Sequence, residues 1–195
     1  MEAASQRWFW ISCLFESSLF VLAAVIAFLT GLPLFADFHW DLDDVLWGMS
    51  ATAPPLAFFV ASIQSKWKPL AEIRSALDRT LGRCFSGFTI LHLLVISILA
   101  GIAEEVLFRA AVQGGLAKLF GPIPGLILAS IGFGCAHFLN WGYAALTFLA
   151  GLYLGGVWLA TGNLLTPIVT HALYDFVALV YYLRIASRET SGGSA

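Results

Sequence analysis

The feature that most constrains this chain is the apolar stretch 85–120, which carries Gly-Ile-Ala-Glu-Glu-Val-Leu-Phe-Arg at 101–109. A charged side chain at the centre of a membrane-spanning helix costs about 2.5–3.5 kcal/mol on insertion scales. Glu104, Glu105 and Arg109 therefore demand either an aqueous setting or a polar interior that uses them. Composition decides between the two. Of the 195 residues, 59% are hydrophobic and 11% charged, and the mean hydropathy is +0.86. Soluble domains carry about 25% charged residues, so this chain cannot clothe a water-facing surface. The expected class is an all-α integral membrane protein, a single membrane domain over 1–195.

Six apolar runs, 8–32, 45–63, 85–120, 123–139, 143–160 and 164–183, predict a bundle of about six transmembrane helices. The first is longer than a signal-peptide core and is read as a retained span. The third would cover roughly 54 Å as one helix, against about 30 Å of hydrocarbon. It must tilt, bend near Gly101 or project from the bilayer. Pro54-Pro55 predict a kink in the second run. Gly151, Gly155 and Gly156 give the fifth a small face for close helix contact. Between the second and third runs, 64–83 carries Lys66, Lys68, Arg74, Arg79 and Arg83 against Glu72 and Asp78. Leu70, Ile73, Leu77 and Leu81 recur there at helical spacing, which predicts one amphipathic interfacial helix.

The acidic loop 35–44 holds Asp37, Asp41, Asp43 and Asp44 without an EF-hand's central Gly and terminal Glu, and is read as solvated. His39 within it, and His92 early in the third run, are read as interfacial. Glu16 is read as a near-interface carboxylate, snorkelling or bonded to a neighbouring helix. The tail 185–195 is expected to be flexible. Arg7, the basic residues of 64–83, Arg184 and Arg188 all fall on one side of the six runs. Positive-inside then places both termini in the cytoplasm. A net charge of −2 without a basic tract excludes a nucleic-acid partner. Cys13, Cys84 and Cys135 are scattered and odd in number, so they are read as small core residues, not a disulfide framework.

Three groups of ionisable or polar residues stand in the second half. Glu105 and Arg109 are four apart and can pair on one helix face. Glu104 points about 100° away from Glu105. His137 follows Phe133 by four, and Asp175 follows His171 by four. Buried ionisable groups in lipid must find one another. A glutamate beside a histidine can polarise a water, taking its proton and returning it to a leaving amine. A second histidine with an acidic partner can donate to the developing oxyanion. That combination is peptide hydrolysis without a covalent intermediate. No Gly-x-Ser-x-Gly elbow or His-Glu-x-x-His helix is present. Two histidines with carboxylates could also hold a zinc with an open position, so chemistry alone leaves metal dependence open. Counted from the helix ends, Glu104, His137 and Asp175 lie towards the cytoplasmic half and His171 nearer the outer side.

Glu104-Glu105-x-x-x-Arg109, Phe133-x-x-x-His137 and His171-x-x-x-Asp175, in that order on successive apolar helices, resemble the three motifs of the CPBP (Abi) family. This is the family of the Ras-converting CAAX endopeptidase, glutamate-type intramembrane proteases. The resemblance covers about 85–185, the catalytic half. It implies that Glu104 and His137 activate water, that Glu105 and Arg109 pair structurally, and that His171 and Asp175 form the oxyanion side. It implies a membrane protein or lipidated peptide as substrate, prenylated or C-terminally anchored, and no required cofactor. The prenyl-protein proteases generally have Asn as the last partner. Asp175 departs from that pattern, so it must be protonated to donate or else serves to orient His171.

Two rivals share these residues. A non-catalytic immunity or scaffold protein would keep the motifs for packing, and a zinc-dependent protease would use Glu104, His137 and His171 as ligands. A proton-coupled transporter fits less well, because no internal repeat is evident.

Overall fold

The computed structural model describes residues 2–85 and 87–183; the tail 185–195, with Arg184 and Arg188 used above for orientation, lies outside them. Among the described residues the chain is all helical, with no strand. In order come α1 (Glu2–Thr30), α2 (Leu42–Ala51), α3 (Ala53–Ile63), α4 (Lys68–Phe85) and α5 (Ile90–Glu105). A π-helical segment (Val106–Gln113) follows, then α6 (Gly114–Phe120), α7 (Pro122–Ala136), α8 (Trp141–Thr161) and α9 (Leu165–Tyr181).

Local chemistry sets these boundaries. Pro54 lies in the first turn of α3, so the prolines start a new helix after Thr52 instead of kinking one in its interior. Thr89 and His92 form a reciprocal capping box, Thr89 Oγ1 accepting from His92 N–H at 3.2 Å. His92 is therefore a cap residue, and Phe85 belongs to α4, not to the third run. Asn140 caps α8 by accepting from Tyr143 N–H at 2.8 Å. Positive φ at Gly121 and Gly162 reverses the chain before α7 and after α8. Among the described residues four stretches are long and apolar enough to cross a membrane: Ala4–Thr30, Leu42–Ile63 (α2 and α3 taken together), Ile90–Phe120 and Trp141–Thr161. Pro122–Ala136 and Leu165–Tyr181 are apolar but shorter. Ile90–Phe120 runs through the π segment, so its change of winding falls at Val106, not at Gly101.

α9 lies between α2 and α5. Both neighbours come close at a glycine. A Cβ at Gly48 would stand 2.7 Å from the Thr166 carbonyl oxygen, and one at Gly101 would stand 2.8 Å from Ala172 Cβ. Thr170 Oγ1 adds a hydrogen bond to the Gly48 carbonyl at 3.0 Å. α7 and α8 meet in the same way at Gly134 and Gly151, with Ser130 and Phe133 against Gly151. Gly156 faces open space and has no part in this contact. Asp37, Asp41 and Asp43 of the acidic loop are exposed, as expected of a solvated loop, and only Asp44 is drawn in. Asp44 accepts from Asn163 Nδ2 at 2.8 Å and from Thr166 Oγ1 at 3.0 Å, tying the loop to the start of α9. On α4, Ile73 and Ala76 are buried. No cysteine is fully buried: Cys13 and Cys84 are half-buried and Cys135 is exposed. An apolar side chain has no reason to hide when the surface is itself apolar, as Trp10, Phe28, Trp40 and Trp141 also show by their exposure.

Adding a methyl tests the packing. Gly101→Ala should lower stability by about 1–3 kcal/mol through overpacking against α9. Gly156→Ala should be neutral or gain up to about 1 kcal/mol of helix propensity. Thermal unfolding in detergent reads both.

Candidate active site

The apolar chain gathers the ionisable groups of its second half at one place. Glu104 and Glu105 end α5, Arg109 lies in the π segment, His137 terminates α7, and His171 and Asp175 lie on α9. Glu105 and Arg109 are both fully buried. Arg109 Nε donates to Glu105 Oε2 at 2.9 Å, and Nη1 donates to the Gly151 carbonyl at 3.0 Å. Its Nη2 has no hydrogen-bond partner among the described residues. The guanidinium carbon lies 5.2 Å from the Phe133 ring centroid, where the ring face attracts it.

Glu105 has a second partner that the motif spacing did not suggest. Its Oε1 accepts from His171 Nδ1 at 2.9 Å. This is shorter than the contact of His171 Nε2 with Asp175 Oδ2, at 3.5 Å. Glu105 thus bridges the arginine of its own helix to the histidine of α9. The bridge puts His171 level with the glutamates, not nearer the outer side as a count from the helix ends suggested.

Glu104 faces a different helix. Its Oε2 lies 3.4 Å from His137 Nε2 and makes no hydrogen bond among the described residues. His137 Nδ1 lies 2.9 Å from the Phe133 carbonyl oxygen. A carbonyl can only accept, so Nδ1 carries a proton, and Nε2 is an acceptor when the ring is neutral. In that state two acceptors, Glu104 Oε2 and His137 Nε2, stand side by side where one proton donor can meet both. Phe133 organises the surroundings: its ring stacks on His137 at 4.4 Å and meets His171 edge-on at 6.1 Å.

Two further polar residues lie within this framework. Gln113, four residues after Arg109, is fully buried and donates from Nε2 to the Gly155 carbonyl at 3.3 Å. It repeats, one turn on, the donation of Arg109 to Gly151. Its place in an apolar run, four after Arg109, was the available signal. Glu16 on α1 is only 8% exposed, so it does not snorkel. For metal ligation, one set of three donor atoms within 4.8 Å of one another occurs among the described residues, His39, Asp41 and Asp44. It lies on the acidic loop, and Glu104, His137 and His171 do not form such a set.

Removing one member of the buried pair should be costly. Arg109→Met leaves the Glu105 carboxylate with half its partners, and loss of one partner of a buried pair costs about 3–5 kcal/mol. Thermal unfolding in detergent should show that loss, whether or not the protein is catalytic.

Residues 86–177 match the family described as Type II CAAX prenyl endopeptidase Rce1-like. No curated protein and no solved structure matches the chain. The matched segment begins just before α5, ends within α9, and includes Glu104, Glu105, Arg109, His137, His171 and Asp175. That segment, which holds every residue of the three motifs, is similar to the Rce1-like family of CAAX endopeptidases.

Proposed function

We propose that this protein is an intramembrane endopeptidase that hydrolyses a peptide bond with water activated by Glu104 and His137. The observation that carries the reading is the facing of two acceptors, Glu104 Oε2 and His137 Nε2, at 3.4 Å. A water held against both donates one hydrogen to each, which turns its lone pair towards a substrate carbonyl. As its oxygen bonds to the carbonyl carbon, Glu104 takes one proton. The tetrahedral oxyanion is met by the imidazolium of His171, which keeps Nδ1–H on Glu105 and donates from Nε2–H to the oxyanion. When the carbon–nitrogen bond breaks, Glu104 returns the proton to the leaving amine. The products are a carboxylic acid and an amine. Asp175, at 3.5 Å from His171 Nε2, acts by orienting that ring. The six residues act together: Glu104 and His137 on water, Glu105 and Arg109 as the buried support, His171 and Asp175 on the oxyanion.

The substrate is a membrane-associated peptide, prenylated or C-terminally anchored. The family description speaks of prenyl endopeptidases, and the apolar exterior of the bundle would bring a lipidated chain to the site. In this reading the basic α4 lies on the membrane surface, and both termini face the cytoplasm in accord with positive-inside.

The test is cleavage of prenylated CAAX peptides and C-terminal anchor peptides by the purified protein in detergent. Glu104→Ala and His137→Ala should each lower kcat/KM by about 100-fold or more, with thermal unfolding near that of wild type. Cleavage should survive a strong chelator. Full activity in either variant sinks the assigned mechanism, and loss of activity on chelation moves the histidines to metal ligands. No cleavage at all, with both variants destabilised, returns the cluster to a packing role.

A further inference from the structure

Glu16 lies on α1, outside the matched segment 86–177, yet the packing of α1 carries it to the site. α1 runs along α5 and the π segment in parallel. Near its start, Trp8, Phe9 and Cys13 pack with Phe88, Leu93 and Ile96. Further along, Leu19, Phe20 and Ala23 pack with Val106, Leu107 and Phe108. Glu16 falls between these two sets of contacts, at three residues from Cys13 and from Leu19 on the same face of the helix. That places it level with the end of α5, where Glu104 stands. Its Oε2 is buried and has no hydrogen-bond partner among the described residues. The charges of Glu104 on α5, His137 after α7, and His171 and Asp175 on α9 act on Glu16, and Glu16 acts on Cys13 of its own helix. Arg109, on the neighbouring π segment, is engaged with Glu105.

The carboxylates outnumber their cations. Arg109 answers Glu105, His137 faces Glu104, and His171 is shared between Glu105 and Asp175. Among the described residues no cation pairs with Glu16. A carboxyl group that merely filled space inside the bundle would be left with an unmet buried oxygen, a cost with no return. We propose that Glu16 is a further member of the site, a positioning residue whose ionisation governs how the proton is held between Glu104 and His137. Through them it bears on the activation of water, and in this it rests on the hydrolytic reading above.

The test is ring-nitrogen NMR of His137 across pH, in the purified full chain in detergent micelles. Wild type, Glu16→Gln and Glu16→Asp are compared, with peptide hydrolysis and thermal unfolding measured alongside. Once ionised, Glu16 supports an imidazolium at His137, so Glu16→Gln, which cannot ionise, should lower the pH at which His137 completes its titration, by up to about one pH unit for a charge acting through an effective dielectric near 20. Glu16→Asp keeps the charge and should recover most of that shift. A wild-type midpoint in folded Glu16→Gln overturns the proposal. Should the Gln variant fail to fold, Glu16→Leu, which removes both the ionisable group and the unmet oxygen, takes its place, and a wild-type midpoint in it overturns the proposal. The expected His137 shift in a protein that cleaves no peptide would overturn the hydrolytic reading and uphold the place of Glu16 beside His137.

Discussion

One carboxylate, kept away from water, holds the centre of this bundle together. Glu105 is fully buried, and every lone pair it directs inward has to be met from the protein, because lipid offers nothing. Arg109 meets it along the helix and His171 meets it from α9. Those two contacts fix where α5 and α9 stand relative to one another, and the glycine at position 101 lets them come that close. Arg109 in turn draws in α8 through Gly151, and its guanidinium lies over Phe133 of α7. Four helices are thus keyed to a single charge pair. The pair has a structural effect of its own, and the same geometry leaves Glu104, one residue earlier, free to turn towards His137.

This division of labour between adjacent glutamates follows from helix geometry. Successive residues point about 100° apart. Glu105 is turned into the protein and becomes saturated with donors, while Glu104 is left with an oxygen that no residue satisfies. A saturated carboxylate suits support and an unsatisfied one suits chemistry. The neighbouring His137 completes the contrast, since its Nδ1 is bound to a backbone carbonyl and only Nε2 is left to face Glu104.

Much of this was legible in the sequence, for identifiable reasons. The i, i+4 pairs Glu105–Arg109 and His171–Asp175 are local, so spacing alone gave their proximity. That Glu104 faces His137 depended on the expense of unpaired charge in lipid together with the family resemblance. The link from Glu105 to His171 was not legible, because it joins residues far apart in sequence and depends on how closely two helices approach. The burial of Glu16, against the reading that it snorkels, was not legible because its position in a run says how far along a helix it lies, not which way that helix faces. The start of the third run was placed early because Phe85 and Ile90 are equally apolar, and only the Thr89–His92 capping box separates them. The glycines of α8 looked alike in sequence. Packing distinguishes Gly151 and Gly155, which accept from buried donors through their carbonyls, from Gly156, which meets nothing.

The π segment makes the chain count its residues where loops do not. Arg109 and Gln113 reach the carbonyls of Gly151 and Gly155 as two matched steps along two helices. The wider winding of a π turn accommodates one residue more than an α turn would. Deleting a single residue between Glu105 and Gln113 would let the helix relax to ordinary winding and swing everything beyond it by about 100° about the axis. The two steps would then lose their phase with α8. This eight-residue segment is therefore sensitive to its own length in a way that a loop is not, a constraint that no single side chain carries.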